Sequence, residues 1–145
     1  MRIAVIADTH DRLPPGVIER FSGADQLWHL GDVCSPVIID LLMEAGLPIR
    51  VIRGNCDSCT EWPLTLDLEI EGFRIRLEHI PQDRPPAEFD LFLHGHTHVP
   101  RNEMVGSVRC LNPGSLGRAN KGAPASFGWL ELRRGEPAQW QIEPL

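Results

Sequence analysis

The chain has 145 residues, of which 42% are hydrophobic and 23% charged, and its formal net charge is −6. This length and composition are typical of one globular domain with a buried core, so we predict a single domain over residues 1–145. The negative charge disfavours long nucleic acids and anionic membranes as partners, and no apolar run approaches the roughly 18 residues of a membrane helix. Four cysteines in a chain of this size, with no signal-peptide cleavage site, favour reduced thiols and a cytoplasmic location.

Short apolar runs alternate with segments of helical length in the first third of the chain. We predict strands over 3–7, 26–30 and 48–52, and helices over 15–21 and 36–45. Gly46 follows the second helix as a typical C-terminal stop. Strands and helices that alternate at this spacing are typical of a parallel sheet.

A different pattern begins after Pro63. Residues 64–78 alternate apolar and polar side chains around a Glu71-Gly72 turn, which predicts a β-hairpin with one buried face. Three prolines between 81 and 88 predict a loop, and 91–93 is a further buried strand. From residue 99 onward we predict short strands separated by glycine and proline turns.

Acidic, amide and imidazole side chains follow the predicted strands at the points where they end. They are Asp8, His10, Asp32, Asn55, Asp57, His79, His94, His96 and His98. Because ligands of open α/β sheets bind outside the carboxyl ends of the strands, we expect these side chains to converge. An isolated Asp-x-His or Gly-Asp pair is ordinary turn chemistry, but oxygen and nitrogen ligands at five successive strand ends indicate a metal centre. This mixture suits Mn, Fe, Ni or Zn, whereas a closed structural zinc site would favour thiolates.

The number of ligands is sufficient for two ions, with a carboxylate such as Asp32 shared between them. Two metals about 3.5–4 Å apart clamp the attacking and leaving oxygens of an in-line phosphoryl displacement. Their charge would exceed that of Asp8 and Asp32, so a locally cationic pocket would hold a phosphate within an acidic protein.

The motifs also resemble a known family. In chain order, the calcineurin-like metallophosphoesterases have motifs similar to Asp8-x-His10, Gly31-Asp32, Gly54-Asn55-x-Asp57, His79 and Gly95-His96-x-His98. The segments 54–57, 95–100 and 112–115 are similar to those of the small bacterial and archaeal phosphodiesterase branch. The resemblance implies an α/β fold, a four-layer αββα sandwich with two mixed β-sheets face to face.

The same resemblance implies ligands and roles. One divalent ion would be held by Asp8, His10, Asp32 and His98, and the other by Asp32, Asn55, His79 and His96. Catalytic roles are implied for Asn55, Cys56 and Asp57. The implied activity is hydrolysis of a small phosphodiester or phosphomonoester by a metal-bridging hydroxide. Manganese is the first choice of metal, with Ni, Fe and Zn as alternatives.

Two departures from the family pattern have consequences. Cys56 stands where many relatives have a histidine that protonates the leaving oxygen or stabilises the transition state. A thiol donates weakly, so we predict a preference for leaving groups such as phenolates that need little protonation. Ile80 stands where the family has glycine, and the short segment 81–89 predicts the loss of one covering helix. That loss would leave sheet surface for a partner, such as a second copy in a homodimer, or open the mouth of the active site.

Two alternatives of other classes stay open at this point. The first alternative is a non-catalytic protein-interaction scaffold on the same fold, because a retromer subunit resembles this family. Loss of metal ligands from the motifs would be the signature of such a scaffold. Cys56 and Cys59 form a Cys-x-x-Cys pair that is typical of redox or zinc sites, but no second pair at matching spacing accompanies it.

Other conspicuous side chains are expected to have structural roles. His29 and His94 are predicted to be buried rather than to ligate metal, and Cys34 and Cys110 to be small core residues. Arg118 and Lys121 are expected in a solvated loop, with contact to a substrate phosphate as the alternative.

Overall fold

The computed structural model describes residues 1–120 and 122–145, and the strands within them form two five-stranded sheets. The strands are β1 (Arg2–Ile6), β2 (Gln26–His29), β3 (Ile49–Val51), β4 (Thr65–Ile70), β5 (Phe73–Glu78), β6 (Leu91–Leu93), β7 (Arg101–Val105), β8 (Val108–Asn112), β9 (Ser126–Glu131) and β10 (Gln139–Pro144). The strands predicted over the first third of the chain, in 64–78 and at 91–93 are therefore confirmed.

The first sheet has the order β10-β9-β1-β2-β3. Strand β1 lies at its centre, parallel to β2 and antiparallel to β9. Residues 3–6 of β1 are completely buried, because both faces of this central strand are covered. That position explains its continuous apolar sequence.

The second sheet has the order β4-β5-β6-β8-β7, with β5, β6 and β8 parallel to one another. Strands β4 and β5 form the predicted hairpin, in register from Thr65 opposite Glu78 to Ile70 opposite Phe73. The turn residues, Glu71 and Gly72, have φ angles of 52° and 83°. Two positive φ angles are what a two-residue type I′ hairpin turn requires.

An α-helix covers the outer face of the first sheet. Helix α1 (Val37–Leu42) continues into a 3-10 turn over Met43–Ala45 and ends at Gly46, which has the left-handed φ of 69°. The helix predicted over 36–45 is thus confirmed, whereas the α-helix predicted over 15–21 is wrong. Only Ile18–Phe21 forms a 3-10 turn there, because Gly16 has a φ of 74° and interrupts the right-handed backbone that a helix needs.

The main core lies between the two sheets. It contains apolar side chains of both, among them Val5 and Trp28 of the first sheet, Leu30 directly after β2, and Leu77 and Leu93 of the second sheet. A second cluster packs α1 and the 15–21 segment against the outer face of the first sheet. The predicted α/β sandwich with two mixed sheets is therefore confirmed.

The outer face of the second sheet is covered differently. Among the described residues no helix lies between β5 and β6, and the proline-rich segment 81–90 crosses this face instead. Phe89 of this segment packs against Phe92, Val108 and Cys110, and the guanidinium of Arg76 lies 4.6 Å from the centre of its ring. Within the described ranges, no helix is long and apolar enough to span a membrane.

Candidate metal centre

All seven predicted metal ligands lie at one edge of the sandwich, where parallel strands of both sheets end. They follow β1 (Asp8, His10), β2 (Asp32), β3 (Asn55), β5 (His79) and β6 (His96, His98). The side chains come together because the two sheets pack face to face and present these strand ends side by side.

A first cluster forms around Asp8. Its Oδ1 atom lies 3.3 Å from His98 Nε2 and 3.8 Å from His10 Nε2. The two imidazoles approach each other with their Nε2 atoms 3.2 Å apart. One carboxylate oxygen and two ring nitrogens within 4.8 Å of one another form a group that can hold a metal ion.

A second cluster forms around Asp32. His79 Nε2 lies 3.2 Å from Asp32 Oδ2, and both belong with His96 to a group whose ligand atoms lie within 4.8 Å of one another. Asn55 joins this cluster, since its Oδ1 atom is 3.0 Å from His96 Nδ1. Asp32 Oδ2 is also 3.6 Å from His10 Nε2, so it lies between the two clusters.

Two buried atoms in this centre lack a hydrogen-bond partner among the described residues. They are Asp8 Oδ1 and His79 Nε2, which lie 3.8 Å apart. Their neighbouring ring nitrogens and carboxylate oxygens are close but outside hydrogen-bond geometry. A buried carboxylate oxygen beside an unpaired ring nitrogen is costly in an apolar interior, and a cation satisfies both. The donor set therefore fits divalent metal ions.

The two carboxylates differ in their electrostatics. Burial raises the pKa of Asp8 to about 7, and the charge of Asp32 contributes in the same direction. Burial alone would raise the pKa of Asp32 too, but contact with His79 and a hydrogen bond from the Cys56 N–H hold that pKa below its usual range. At neutral pH, both groups are fully ionised only when additional positive charge enters the centre.

Most of the ligand loops have unusual backbone conformations. Positive φ angles of 45–71° occur at Asp8, His10, Asp32, His96 and His98. Backbone hydrogen bonds between distant loops hold these conformations: Asp8 N–H donates to Gly31 O and His10 N–H to Asp32 O, both at 3.0 Å. Each non-glycine residue with such a φ angle reduces the stability of the folded chain by roughly 1–3 kcal/mol. Backbone strain of this kind is concentrated at functional sites.

Glycine is required where two of these loops meet. A Cβ atom on Gly54 would lie 2.2 Å from Asp32 Oδ1, and one on Gly31 would lie 2.8 Å from the Gly54 nitrogen. The Gly-Asp and Gly-Asn dipeptides therefore allow close backbone approach at the centre.

Asp57 supports the centre through the backbone. Its Oδ2 atom accepts hydrogen bonds from the N–H groups of Asp32 and Gly54, at 2.9 and 2.7 Å, and its Oδ1 atom accepts one from Cys34 at 2.7 Å. The carboxylate thus ties the loops after β2 and β3 together. The catalytic role predicted for Asp57 stays a prediction, and its observed contacts are those of a positioning residue.

The sequence prediction missed two further supporting side chains. Asn112 donates to Gly95 O and to Thr97 Oγ1, at 3.1 and 3.0 Å, and thereby fixes the loop after β6. Ser115 Oγ donates to Asp8 O at 2.9 Å. The Asn-Pro-Gly-Ser turn was the available signal, but its role depends on contacts with segments far away in the chain.

His29 and His94 are both buried, as predicted. Burial lowers the pKa of His29 to about 3, so the ring is neutral. Its Nδ1 atom accepts from Gly31 N–H at 3.2 Å and its Nε2 atom pairs with Thr9 Oγ1 at 3.0 Å. Burial likewise lowers the pKa of His94 to about 4.

The cysteines are all free thiols, and two of them lie at the centre. Cys110 is buried as predicted, but the core position predicted for Cys34 is wrong, because Cys34 is half-buried with its Sγ atom 3.6 Å from His10 Nδ1. Cys56 is exposed, and its thiol belongs with His10 and Asp32 to a third group of potential ligands.

The loop after the Asn-Pro-Gly-Ser turn contains the two basic residues considered as phosphate contacts. Arg118 is exposed, and its backbone N–H donates to Ser115 Oγ at 3.1 Å. Lys121 lies outside the described residues.

Comparison with known proteins supports the assignment of a family. The profile of the calcineurin-like phosphoesterase superfamily domain matches residues 1–135. Phosphodiesterase YfcE from Escherichia coli strain K12 is 32% identical, with 90% of this chain and 88% of that protein covered. A probable metallophosphoesterase from Methanothermobacter thermautotrophicus is 35% identical, with 79% of this chain and 77% of that protein covered.

Solved structures agree with the sequence comparison. The structure of the Escherichia coli phosphoesterase YfcE superposes with a TM-score of 0.74 at 29% identity, covering 90% of this chain and 88% of that chain. Vps29 from Entamoeba histolytica, solved in complex with zinc, has a TM-score of 0.79 at 22% identity and covers 99% of this chain and 98% of its own, a likeness that concerns the fold alone. The chain belongs to the calcineurin-like phosphoesterase superfamily, as a metal-dependent phosphoesterase of its small bacterial and archaeal branch.

Proposed function

We propose that the chain is a phosphodiesterase whose centre holds two divalent metal ions. The single observation that carries this proposal is the pair of buried atoms without hydrogen-bond partners among the described residues, Asp8 Oδ1 and His79 Nε2. They belong to two different clusters of potential ligands, so one cation bound in each cluster would satisfy both atoms. The phosphodiesterase YfcE, at 32% identity, supports the same class of reaction.

The ligands divide naturally between two positions. For one ion we propose Asp8, His10, Asp32 and His98, and for the other Asp32, Asn55, His79 and His96. The separate groups around Asp8 and around Asp32, each with ligand atoms within 4.8 Å of one another, support this division. The shared role of Asp32 is supported by its Oδ2 atom, which approaches His10 and His79 at 3.6 and 3.2 Å.

The residues of this chain would prepare the centre for phosphoryl transfer. When bound, two divalent ions lower the pKa of the attacking water and withdraw charge from the phosphoryl oxygens. Asp8 and Asp32 hold only two negative charges at the centre, so the loaded site attracts a phosphate anion. Asp57 would keep Asp32 in place through the hydrogen bonds that it accepts from the backbone N–H groups of Asp32 and Gly54.

The leaving group is where this chain departs from the family pattern. In the metal-free centre, desolvation and the charge of Asp32 raise the pKa of the Cys56 thiol and so favour its protonated form. A thiol is a weak hydrogen-bond donor and leaves the departing oxygen poorly stabilised. We therefore propose a small phosphodiester with a phenolate-like leaving group as the preferred substrate, and manganese as the first choice of ion.

The test is hydrolysis of bis-p-nitrophenyl phosphate by chelator-stripped protein to which Mn, Ni, Zn or Mg is added back singly. Bound metal is counted by plasma mass spectrometry on the same samples. We expect metal-dependent turnover with two ions per chain, and loss of both ions and of turnover in Asp32→Asn. Asp67→Asn is the matched control, because Asp67 is an exposed carboxylate paired with Arg76 at 2.7 Å on the hairpin.

The other outcomes separate the alternatives. Two bound ions without turnover on any diester would favour the non-catalytic scaffold on the same fold. Protein that binds none of the four metals would overturn the proposed centre.

A further inference from the structure

A cavity of about 360 Å³ opens beside the proposed metal centre. Its walls include Asn55 and His79, which the centre also uses, so the cavity is continuous with the centre. The backbone N–H of Arg53 donates to Pro63 O at 2.7 Å and ties the chain after β3 to the segment before β4. The cavity therefore has a fixed position where the two sheets meet, and its volume is typical of a small-molecule pocket.

Two large apolar side chains form exposed walls of this cavity. Leu64, just before β4, is 58% exposed, and Ile80, directly after His79, is 49% exposed. The fold thus leaves both in solvent, although each lies next to a ligand loop. A ligand group that covers them would remove apolar surface from water, which is favourable for binding.

The charged groups of the cavity have opposite signs. Arg53 and Glu78 both line it, and Glu78 accepts a hydrogen bond from Gln82 at 2.7 Å. Across the described parts of the chain, the guanidinium of Arg53 has no carboxylate within ion-pair distance. One cation and one anion leave no net charge, which favours a neutral group over a second phosphate or a carboxylate. A guanidinium also stacks well on an aromatic ring.

We propose that this cavity takes a neutral, apolar ester group of the substrate, an aryl ring stacked near Arg53, and that Leu64 and Ile80 set this preference. The inference rests on the proposed function, because the phosphoryl group must lie at Asn55 and His79 for its substituent to enter the cavity. It adds a binding site for the phenolate-like group of that substrate: aryl phosphoesters are bound more tightly than alkyl ones.

The test compares two probes that share one anionic group. Metal-loaded protein is titrated calorimetrically with phenylphosphonate and with methylphosphonate, which differ only in the substituent. We expect the wild type to bind phenylphosphonate about tenfold more tightly, and the double variant Leu64→Ala, Ile80→Ala to lose most of that ratio. Both side chains are about half exposed, so their truncation has little effect on folding, which thermal unfolding checks.

Leu41→Ala is the control, because Leu41 is an exposed leucine on helix α1 that is no part of the cavity. This variant should keep the wild-type ratio of the two dissociation constants. Equal affinity of the wild type for both phosphonates, or a ratio that the double variant leaves unchanged, overturns the cavity proposal while metal-dependent hydrolysis still supports the function. If neither phosphonate binds in a metal-dependent way and no diester is hydrolysed, the proposed function fails and the cavity proposal with it.

Discussion

Replacement of Asp8 by asparagine should stabilise the metal-free protein at neutral pH, although it removes a proposed metal ligand. Asp8 is completely buried, and burial raises its pKa from 3.8 to about 7. A carboxyl group with a higher pKa in the folded than in the unfolded chain contributes stability below the unfolded pKa and loses it as the pH rises through the folded pKa. At 1.36 kcal/mol per pKa unit, the difference amounts to about 4 kcal/mol of lost stability at pH 8.

Urea unfolding of chelator-treated wild type and Asp8→Asn at pH 4 and pH 8 measures this effect. The variant should be more stable by as much as about 4 kcal/mol at pH 8 and nearly equal at pH 4, because its amide oxygen still accepts the His96 N–H that Asp8 accepts at 3.1 Å. Asp67→Asn is a control of opposite sign: Arg76 lowers the pKa of this exposed carboxyl, so its loss should cost less than about 1 kcal/mol. A variant less stable than the wild type at pH 8 would refute the reasoning from burial.

Three further predictions concern the centre. His98→Ala should remove about one metal ion per chain whereas Asp32→Asn should remove both, as counted by plasma mass spectrometry; equal metal content in Asp32→Asn and wild type would exclude a shared ligand. Cys56→His should raise kcat for diesters with poor alkoxide leaving groups by about tenfold or more, and so flatten the plot of log kcat against leaving-group pKa; an unchanged slope would mean that this side chain has no part in catalysis. Gly54→Ala should destabilise the metal-free protein by about 1–3 kcal/mol in urea unfolding, since its Cβ would lie 2.2 Å from Asp32 Oδ1. Gly106→Ala is the control, because Gly106 has a φ of 61° and a Cβ atom there would meet nothing within 4 Å. It should lower the free energy of unfolding by about 1 kcal/mol through backbone strain alone. Equal losses of stability in the Gly54 and Gly106 variants would contradict the steric argument.

Local sequence pattern was sufficient where a single physical signal dominates. Alternation in 64–78 and a turn with two positive φ angles determine the hairpin, and a continuous apolar run determines the buried central strand. The same reasoning gives a wrong prediction for the segment 15–21. Val17 and Phe21 are buried at helical spacing, but Gly16 takes a left-handed conformation that apolar periodicity does not report. That residues 1–145 form one domain stays a prediction.

At the metal centre, the type of side chain at each strand end was predictable and its surroundings were not. The rule that strand ends converge predicts that Asp8, Asp32 and His79 meet. It does not predict which carboxylate has a raised pKa, because the burial and the hydrogen-bond partners of each carboxylate depend on loops that are distant in sequence. The hydrogen bonds that Asp57 accepts show the same difficulty. A Gly-Asn-x-Asp turn predicts that the Asp caps N–H groups of its own turn, yet two of the three N–H groups that donate to Asp57 belong to the loop after β2.

The backbone hydrogen bonds that hold the ligand loops have a consequence for how stability responds to metal supply. Asp8 N–H reaches Gly31 O and Gly95 N–H reaches His79 O, so the ligands acquire their positions only when segments of both sheets are assembled. The unfolded chain therefore offers only scattered, weak ligands, and divalent ions would bind the native state preferentially. By mass action, each tenfold increase in free ion above the dissociation constant of one site adds about 1.4 kcal/mol to the free energy of unfolding. A cell that runs short of the metal would then lose folded protein as well as activity.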